Sequence, residues 1–579
     1  RQTVSRDPFL LRTPPAPTAH QPTEAQRHAI DALTAALPGE VALLHGITGS
    51  GKTLVYIELL KHIVWTKGRS GIVLVPEIAL TPQAVDRFRA VFGDQVAVLH
   101  SGLSDGERYD AWLALRSGTK RVAVGARSAV FAPLADLGAI IVDEEHEASY
   151  KQGESPRYHA REVAILRARE AGAVCVLGSA TPSLESWENA RTGKYRLLSL
   201  PDRVGGGALP RVEVVDLRAT SQAGRRPSTL DSGPQTLDPG RSALDRHILS
   251  ERLELALLEC LERGQQSILL LNRRGYASFV QCSSCEWVAA CPDCSISLTY
   301  HRQPDRLVCH YCAHQESPRE ACPQCGALTL RQRGLGTQQV ERLLSERLPT
   351  ARIARMDVDT TSGKWAHTEI LDRVARHEVD VLLGTQMIAK GLDYPNVTLV
   401  GIIDADVGIN LPDFRASERT FQLVSQVAGR AGRGPKGGLV IIQTRMPNHH
   451  SIRCATTHDY RRFVEEELPG RQNPPYPPTV RLANIVLSGA KELEVMQLAQ
   501  RAAEWFARAL ASAGGAIEVV GPAPCPIERI KQRWRWHLLL RTTKPAALTR
   551  VSRRFLTSFE VPARCELRVT YDRDPVALL

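Results

Sequence analysis

An apolar run, Val41–His45, leads directly into Gly46-Ile-Thr-Gly-Ser-Gly-Lys-Thr53, and a helical pattern follows. The eight residues fit G-x-x-x-x-G-K-[ST] at every position. The glycines let backbone N–H groups turn inward around an anion, and the following helix points its positive end at the same spot. Such a loop needs a strand before it and a helix after it. Short β-branched runs recur at Gly71–Val75, Arg121–Val124, Gly138–Val142 and Ala173–Leu177, each followed by a helical pattern. That alternation argues for a parallel sheet covered by helices. A second alternating unit runs through Gln266–Leu271, Arg352–Met356, Asp380–Leu383, Val397–Ile403 and Leu439–Gln443. The fold class expected is therefore α/β, with two parallel-sheet lobes.

The first lobe carries the chemistry of a nucleoside triphosphate site. Gly46, Thr48, Gly49, Ser50 and Gly51 line the loop, Lys52 would reach the β and γ phosphates of ATP, and Thr53 would bind Mg²⁺. Ile140-Ile-Val-Asp-Glu-Glu-His146 supplies the other half. Asp143, at the end of an apolar strand, can hold Mg²⁺ through water, and Glu144 can orient or deprotonate the attacking water.

At roughly 100–200 residues per domain, 579 residues allow about three to five domains. Residues 1–21 are Pro-rich and read as a lead-in linker, 22–201 as lobe 1, and 202–247, rich in Gly, Ser, Pro and Arg, as a partly mobile linker. Lobe 2 comprises 248–281 and 331–470, interrupted by a cysteine-rich insertion at 282–330. After Asn473-Pro-Pro-Tyr-Pro-Pro478 the chain reads as a small α+β domain, 471–579: strand Arg481–Ser488, helix Leu493–Ala513, then strands near Trp534–Arg541 and Arg564–Tyr571. No apolar run approaches the ~18 residues of a membrane span, so a cytoplasmic protein with no membrane partner is expected. The net charge of +11 favours a polyanionic partner.

Eight of the 13 cysteines form four C-x-x-C pairs: Cys282/Cys285, Cys291/Cys294, Cys309/Cys312 and Cys322/Cys325. Two intervening residues let both sulfurs face one tetrahedral Zn²⁺, so four pairs make two structural Cys₄ sites with no open position. An iron–sulfur cluster is the minor alternative. Fourteen residues separate Cys294 from Cys309, close to a zinc-ribbon loop. That favours nesting, with Cys291, Cys294, Cys309 and Cys312 inside and Cys282, Cys285, Cys322 and Cys325 outside; an interleaved cross-brace is the runner-up. His301, His310 and His314 are then left as surface residues. Cys175, Cys260, Cys454, Cys525 and Cys565 read as buried thiols.

Asp-Glu-x-His after a phosphate loop resembles the signature of superfamily 2 helicases, and further motifs follow in that superfamily's order. Pro22-Thr-Glu-Ala-Gln26 resembles the adenine-reading Q motif, ending in Gln26. Leu74–Gln83 and Gly125-Ala-Arg-Ser-Ala-Val-Phe131 resemble DNA-contacting motifs, and Gly178-Ser-Ala-Thr-Pro-Ser183 resembles motif III. Gly384-Thr-Gln-Met-Ile-Ala-Lys-Gly391 and Gln426-Val-Ala-Gly-Arg-Ala-Gly-Arg433 resemble motifs V and VI. The loop Ser149–Arg161, the cysteine insertion and the terminus Tyr571–Leu579 narrow the match to the PriA family of replication-restart helicases. The resemblance implies RecA-like lobes, the nested zinc pairing, and 3′-to-5′ translocation on single-stranded DNA. It assigns Gln426, Arg430 and Arg433 to catalysis, with Arg430 and Arg433 as arginine fingers reaching the γ-phosphate from lobe 2. It points to DNA contacts at Arg127, Tyr150, Lys151, Arg157, Tyr158, Arg161, Thr385, Gln386 and Lys390. It also implies single-stranded DNA-binding protein, other primosome proteins and the replicative helicase loader as partners of a monomer. The family's 3′-end-binding and winged-helix region does not fit before Gln21.

In Arg529-Ile-Lys-Gln-Arg-Trp-Arg-Trp-His537 alternate residues share a face, which places Trp534 and Trp536 in the core and Arg533 and Arg535 outside, toward DNA phosphates or an acidic peptide. Trp287, Tyr300, His301, Arg302 and Arg306 give the cysteine module a basic, aromatic surface for DNA or a primosome protein. Two rival functions remain. An ATPase-weak primosome scaffold is opposed by Lys52, Asp143, Glu144 and Arg430. An RNA helicase is opposed by the aromatic loop and the zinc insertion.

Overall fold

The computed structural model describes residues 21–76, 82–204, 210–218, 248–271, 279–302, 305–328, 330–333, 337–357, 366–385, 388, 394, 396–429, 437–511, 516–562 and 566–578. The chain divides near Pro210 into two compact units: lobe 1 is the first, and lobe 2, the cysteine module and the C-terminal domain make the second.

Lobe 1 is a parallel sheet of β1 (Val41–Gly46), β2 (Ser70–Leu74), β3 (Val96–Leu99), β4 (Val122–Gly125), β5 (Leu137–Asp143), β6 (Val174–Ser179) and β7 (Arg196–Leu200), in the order β3-β4-β2-β5-β6-β1-β7. Apart from the largely exposed edge strand β7, its strands are apolar without alternation because both faces are covered. Ala42 and Leu44 join the core on one face, Val41 and Leu43 the core on the other. A capping box of Thr23 and Gln26 starts the helix Glu24–Thr34.

Lobe 2 is a second parallel sheet. Its strands are β8 (Arg211–Asp216), β9 (Gln266–Leu270), β15 (Ile353–Met356), β16 (Val381–Gly384), β17 (Val397–Ile402) and β18 (Leu439–Thr444), in the order β15-β16-β9-β17-β18-β8. β8 corrects one boundary. Residues 211–216, expected in the linker, form the sheet's edge strand, paired residue for residue with Leu439–Thr444. Edge strands carry weak apolar signals because one side stays wet, and here the half-exposed strand sits among linker-like residues.

Between β9 and β15 lies an antiparallel sheet of β10 (Phe279–Cys282), β11 (Thr299–Arg302), β12 (Asp305–Val308), β13 (Gln315–Glu316) and β14 (Leu330–Arg333). The C-terminal domain is an antiparallel sheet of β19 (Arg481–Gly489), β20 (Glu518–Ile530), β21 (Arg533–Thr542) and β22 (Arg568–Arg573), in the order β20-β21-β19-β22. On the helix Glu492–Leu510, Val495, Leu498, Ala499, Ala502 and Phe506 recur at helical spacing, and that face packs on the sheet. Trp534 and Trp536 pack into the same core, as expected.

Candidate nucleotide site and zinc module

The phosphate loop leaves the C-terminal end of β1, and Asp143 ends β5, with β6 hydrogen-bonded between those strands. Ligands bind at this end of open parallel sheets. Gly51 lies at φ +75° and a Cβ there would meet Gln26 Nε2 at 2.4 Å, while one on Gly46 would meet Ser50 Oγ at 2.5 Å. Gly51 therefore suits its left-handed backbone, and a side chain at either position would push Gln26 or Ser50 out of the cradle that a phosphate needs. Gln26, buried, donates from Nε2 to the Ser50 carbonyl at 2.8 Å, joining the Q-motif glutamine to the loop. Lys52 Nζ donates to the Gly46 carbonyl at 2.9 Å, and Thr53 stands beside it in the first turn of the helix Lys52–Lys61. Arg203, unremarked in the sequence, donates from Nε to the Thr48 carbonyl at 3.1 Å, and Val204 N–H donates to Gly49.

Asp143 is half-buried at the strand end, and its carboxyl is raised to about 6, by desolvation first and then by Glu144, against the pull of Lys52. Tyr56, on the helix after the loop, donates its hydroxyl to Asp143 Oδ1 at 2.9 Å. Gly178 on β6, which pairs with both Leu44 and Asp143, makes this contact possible. A Cβ on Gly178 would lie 1.7 Å from the Tyr56 hydroxyl oxygen. Glu144 takes a left-handed backbone conformation, φ 46°, which turns the chain sharply off the strand end. His146 Nδ1 then lies 2.8 Å from Ser179 Oγ, bridging the acidic box to the motif III segment. A site holding ATP with Mg²⁺ would use the loop amides, Lys52 and Thr53 for the phosphates and metal, with Asp143 and Glu144 opposite.

The loop after the acidic box departs from its sequence reading. Tyr150, expected to stack on bases, is fully buried, with its hydroxyl donating to the Asp143 carbonyl at 2.7 Å. Arg161, expected at phosphates, is also buried. It donates to Glu145 Oε2 at 2.8 Å and to Ser183 Oγ at 2.6 Å. Glu145, itself inaccessible, also accepts from Ser183 N at 2.7 Å and Ser186 Oγ at 2.8 Å. Arg127 Nη1 donates to the Ser149 and Lys151 carbonyls, and Lys151 is largely buried. Arg127, Tyr150 and Arg161 thus shape the loop from within. Arg157 and Tyr158 keep partial exposure, and Tyr158 meets the exposed Phe131 edge-on, centroids 4.9 Å apart. Phe131 lay in a motif already quoted, but only the fold brings its ring to Tyr158.

In lobe 2, Thr385 is half-buried at the end of β16, and Gln426 is buried on the helix Ala416–Ala428. Gln386, Lys390, Arg430 and Arg433 lie outside the described residues. In the C-terminal domain, Arg533 and Arg535 are half-buried rather than free. Arg533 donates to the Ser488 and Glu566 carbonyls, and Arg535 to the Ile527 carbonyl at 3.1 Å.

The eight cysteines gather as Cys282, Cys285, Cys322, Cys325 and as Cys291, Cys294, Cys309, Cys312. This is the nested pairing. Sulfur separations of 3.7 Å for Cys282–Cys325, 3.6 Å for Cys285–Cys322 and 3.7 Å for Cys291–Cys312 match the edge, about 3.8 Å, of a tetrahedron with Zn–S bonds of about 2.3 Å. Backbone N–H groups of Ser284 and Tyr311 point at the Cys282 and Cys309 sulfurs, as in a metal knuckle. The residues fit two structural Zn²⁺ ions, which would cross-link a module too small to hold itself by core packing. The module packs against both neighbours in its unit. Leu298, Leu307 and Tyr311 share one core with Tyr476 and Leu539, and Tyr476 donates to the Cys294 carbonyl at 3.0 Å. This corrects the reading of His310 as a surface residue. It is wholly buried, because the C-terminal sheet covers it, and His537 Nε2 lies 2.5 Å from its carbonyl oxygen. Cys175, Cys260, Cys454 and Cys525 are buried thiols, and Cys565 lies outside the described residues.

Residues 23–190 match the DEAD/DEAH box helicase family and 331–435 the helicase conserved C-terminal domain. Residues 291–316 match the PriA DNA helicase Cys-rich region (CRR) domain, and 472–576 the primosomal protein N C-terminal domain. The chain is 46% identical over 564 residues to replication restart protein PriA of Bacillus subtilis (strain 168), covering 96% of this chain and 67% of that protein. It is 44% identical over 536 residues to the PriA of Synechocystis, covering 91% of this chain and 62% of that protein. For Treponema pallidum PriA the identity is 42% over 557 residues, covering 96% and 80%. The chain thus spans about two thirds of the length of the first two relatives. With two parallel-sheet lobes, two four-cysteine clusters and identity of this extent, the chain belongs to the PriA family of replication restart proteins.

Proposed function

We propose that this chain is an ATP-hydrolysing DNA helicase that moves 3′ to 5′ on single-stranded DNA and remodels stalled forks for replication restart. One observation carries the reading. The phosphate-loop lysine, the half-buried Asp143 and the strained Glu144 converge at one end of the lobe 1 sheet, with Tyr56 holding Asp143. A scaffold without turnover has no use for two adjacent carboxylates gathered at the strand end opposite a phosphate-loop lysine. Mg²⁺ would supply charge neutralisation between the β and γ phosphates. The chain's residues do the rest: the loop amides and Lys52 bind and orient phosphates, and Glu144 orients water and accepts its proton. Gln426, Arg430 and Arg433 are assigned to transition-state charge.

Arg157, Tyr158 and Phe131 are the DNA-facing candidates in lobe 1, with Thr385, Gln386 and Lys390 in lobe 2. The relatives' name, replication restart protein PriA, supports work in replication restart, and the proposal extends to single-stranded DNA-binding protein, primosome proteins and a helicase loader as partners, in the cytoplasm at the nucleoid. No described helix is long and apolar enough to cross a membrane. Unwinding of forked duplexes bearing only a 3′ or only a 5′ single-stranded tail tests the proposal. ATP-dependent unwinding from the 3′-tailed strand alone is expected; equal unwinding of both, or preference for an RNA fork, would overturn it.

A further inference from the structure

We propose that His301, His310 and Glu528 form a third divalent-metal site, separate from the two cysteine clusters, that fastens the C-terminal domain to the cysteine module. His301 lies on β11 and His310 lies between Cys309 and Cys312, while Glu528 comes from β20 of the C-terminal domain. One potential ligand atom from each of the three falls within 4.8 Å of the others. The two imidazoles face each other through Nε2, 3.2 Å apart, with ring planes 61° apart. Two nitrogens on one tetrahedral ion, at bonds of about 2.0–2.1 Å, stand about 3.3–3.4 Å apart. The histidine pair is therefore already at ligand spacing. Glu528 Oε1 lies 3.6 Å from His301 Nδ1, the ring nitrogen turned away from His310, so the carboxylate must swing to a new rotamer to reach an ion held between the two Nε2 atoms.

The surroundings of His310 fit a ligand. Its ring is buried, and Nδ1 lies 3.0 Å from the Pro524 carbonyl. A carbonyl cannot donate, so Nδ1 carries the proton and Nε2 presents its lone pair toward His301. A backbone carbonyl fixing the tautomer in this way is the usual outer partner of a metal-bound histidine. Pro524 and Glu528 belong to the same strand, so β20 supplies both a ligand and the group that orients another. Two imidazoles and one carboxylate suit Zn²⁺ and its neighbours Co²⁺, Ni²⁺ and Cu²⁺, and disfavour Mg²⁺ and Ca²⁺. His301 and Glu528 are half-buried, which leaves a fourth position for water. The metal-free alternative is a direct hydrogen bond between the two Nε2 atoms.

Metal content separates the two arrangements. The full chain is loaded with Zn²⁺, passed through a desalting column and assayed by elemental analysis, beside His301→Ala and Glu528→Gln. We expect each variant to hold one equivalent less than the parent, with its cysteine-bound metal intact. Reloading with Co²⁺ should give the parent, and neither variant, an added set of ligand-field bands without additional thiolate charge-transfer absorption. Equal metal content in parent and both variants, or an extra equivalent bearing a thiolate signature, would overturn the proposal. Glu528→Gln is close to isosteric, so it carries the test should His301→Ala fold poorly.

Discussion

At the residue scale, the account turns on a few side chains whose surroundings differ from what their chemistry suggests in isolation. Tyr150 lies within an aromatic, basic segment, yet its ring is in the core and its hydroxyl serves the Asp143 backbone. Tyr150→Phe should cost about 1 kcal/mol of lobe 1 stability in denaturant titration, the net worth of one hydrogen bond, and leave single-stranded DNA affinity unchanged. Tyr158→Ala should weaken that affinity by ~1–3 kcal/mol if its ring stacks on a base, read by fluorescence titration. Gly178→Ala tests the Tyr56–Asp143 contact: the added methyl displaces the phenol and should cost about 1–3 kcal/mol, with loss of ATP binding. The phosphate loop was legible in the sequence because its spacing encodes its geometry. Tyr56 and Arg203 were not, because a tyrosine on an apolar helix and an arginine in a linker carry no local signal. Only strand order brings Asp143 to Tyr56 and Arg203 to the loop.

At the element scale, the chain shows how pairing overrides composition. β8 reads as linker because an edge strand needs little apolar surface, and it becomes strand only through β18. The loop Ser149–Arg161 is fixed by Glu145, which collects Arg161, Ser183 and Ser186 and so ties the acidic box to the motif III segment. Glu145→Gln would leave Arg161 buried beside a neutral amide. Removing one partner of a buried ion pair costs about 3–5 kcal/mol, so this variant should unfold at markedly lower denaturant than wild type. An unchanged midpoint would mean that the network does not hold the loop. Five strands of each parallel sheet were readable from their apolar runs, whereas β3, β7 and β8 were not. β20 and the helix Pro545–Ser558 were missed, since prolines and glycine interrupt the first and basic residues dilute the second.

At the scale of the whole molecule, the second unit is joined by more than chain connectivity. The cysteine module shares one core with lobe 2 and the C-terminal domain, so stripping its metal should expose that core. Chelation is expected to raise binding of a hydrophobic dye and to abolish unwinding, while ATP binding by lobe 1 persists. Asp413, buried in lobe 2, accepts from Leu578 N at 3.2 Å and pairs with Arg419 at 3.2 Å. Burial pushes its carboxyl up, but Arg419, Arg415 and backbone donors outweigh that and hold it below its ordinary 3.8. Its contribution to stability is therefore complete above that value and lost as pH falls through the lower folded one, so the C-terminal tail should loosen only in strong acid. The central claim, that lobe 1 is a motor engaged by DNA, is tested most directly by ATP hydrolysis with and without single-stranded DNA, beside Lys52→Ala. Hydrolysis stimulated by DNA and abolished in the variant is expected; hydrolysis absent in the parent, or undiminished in Lys52→Ala, would contradict a DNA-engaged motor.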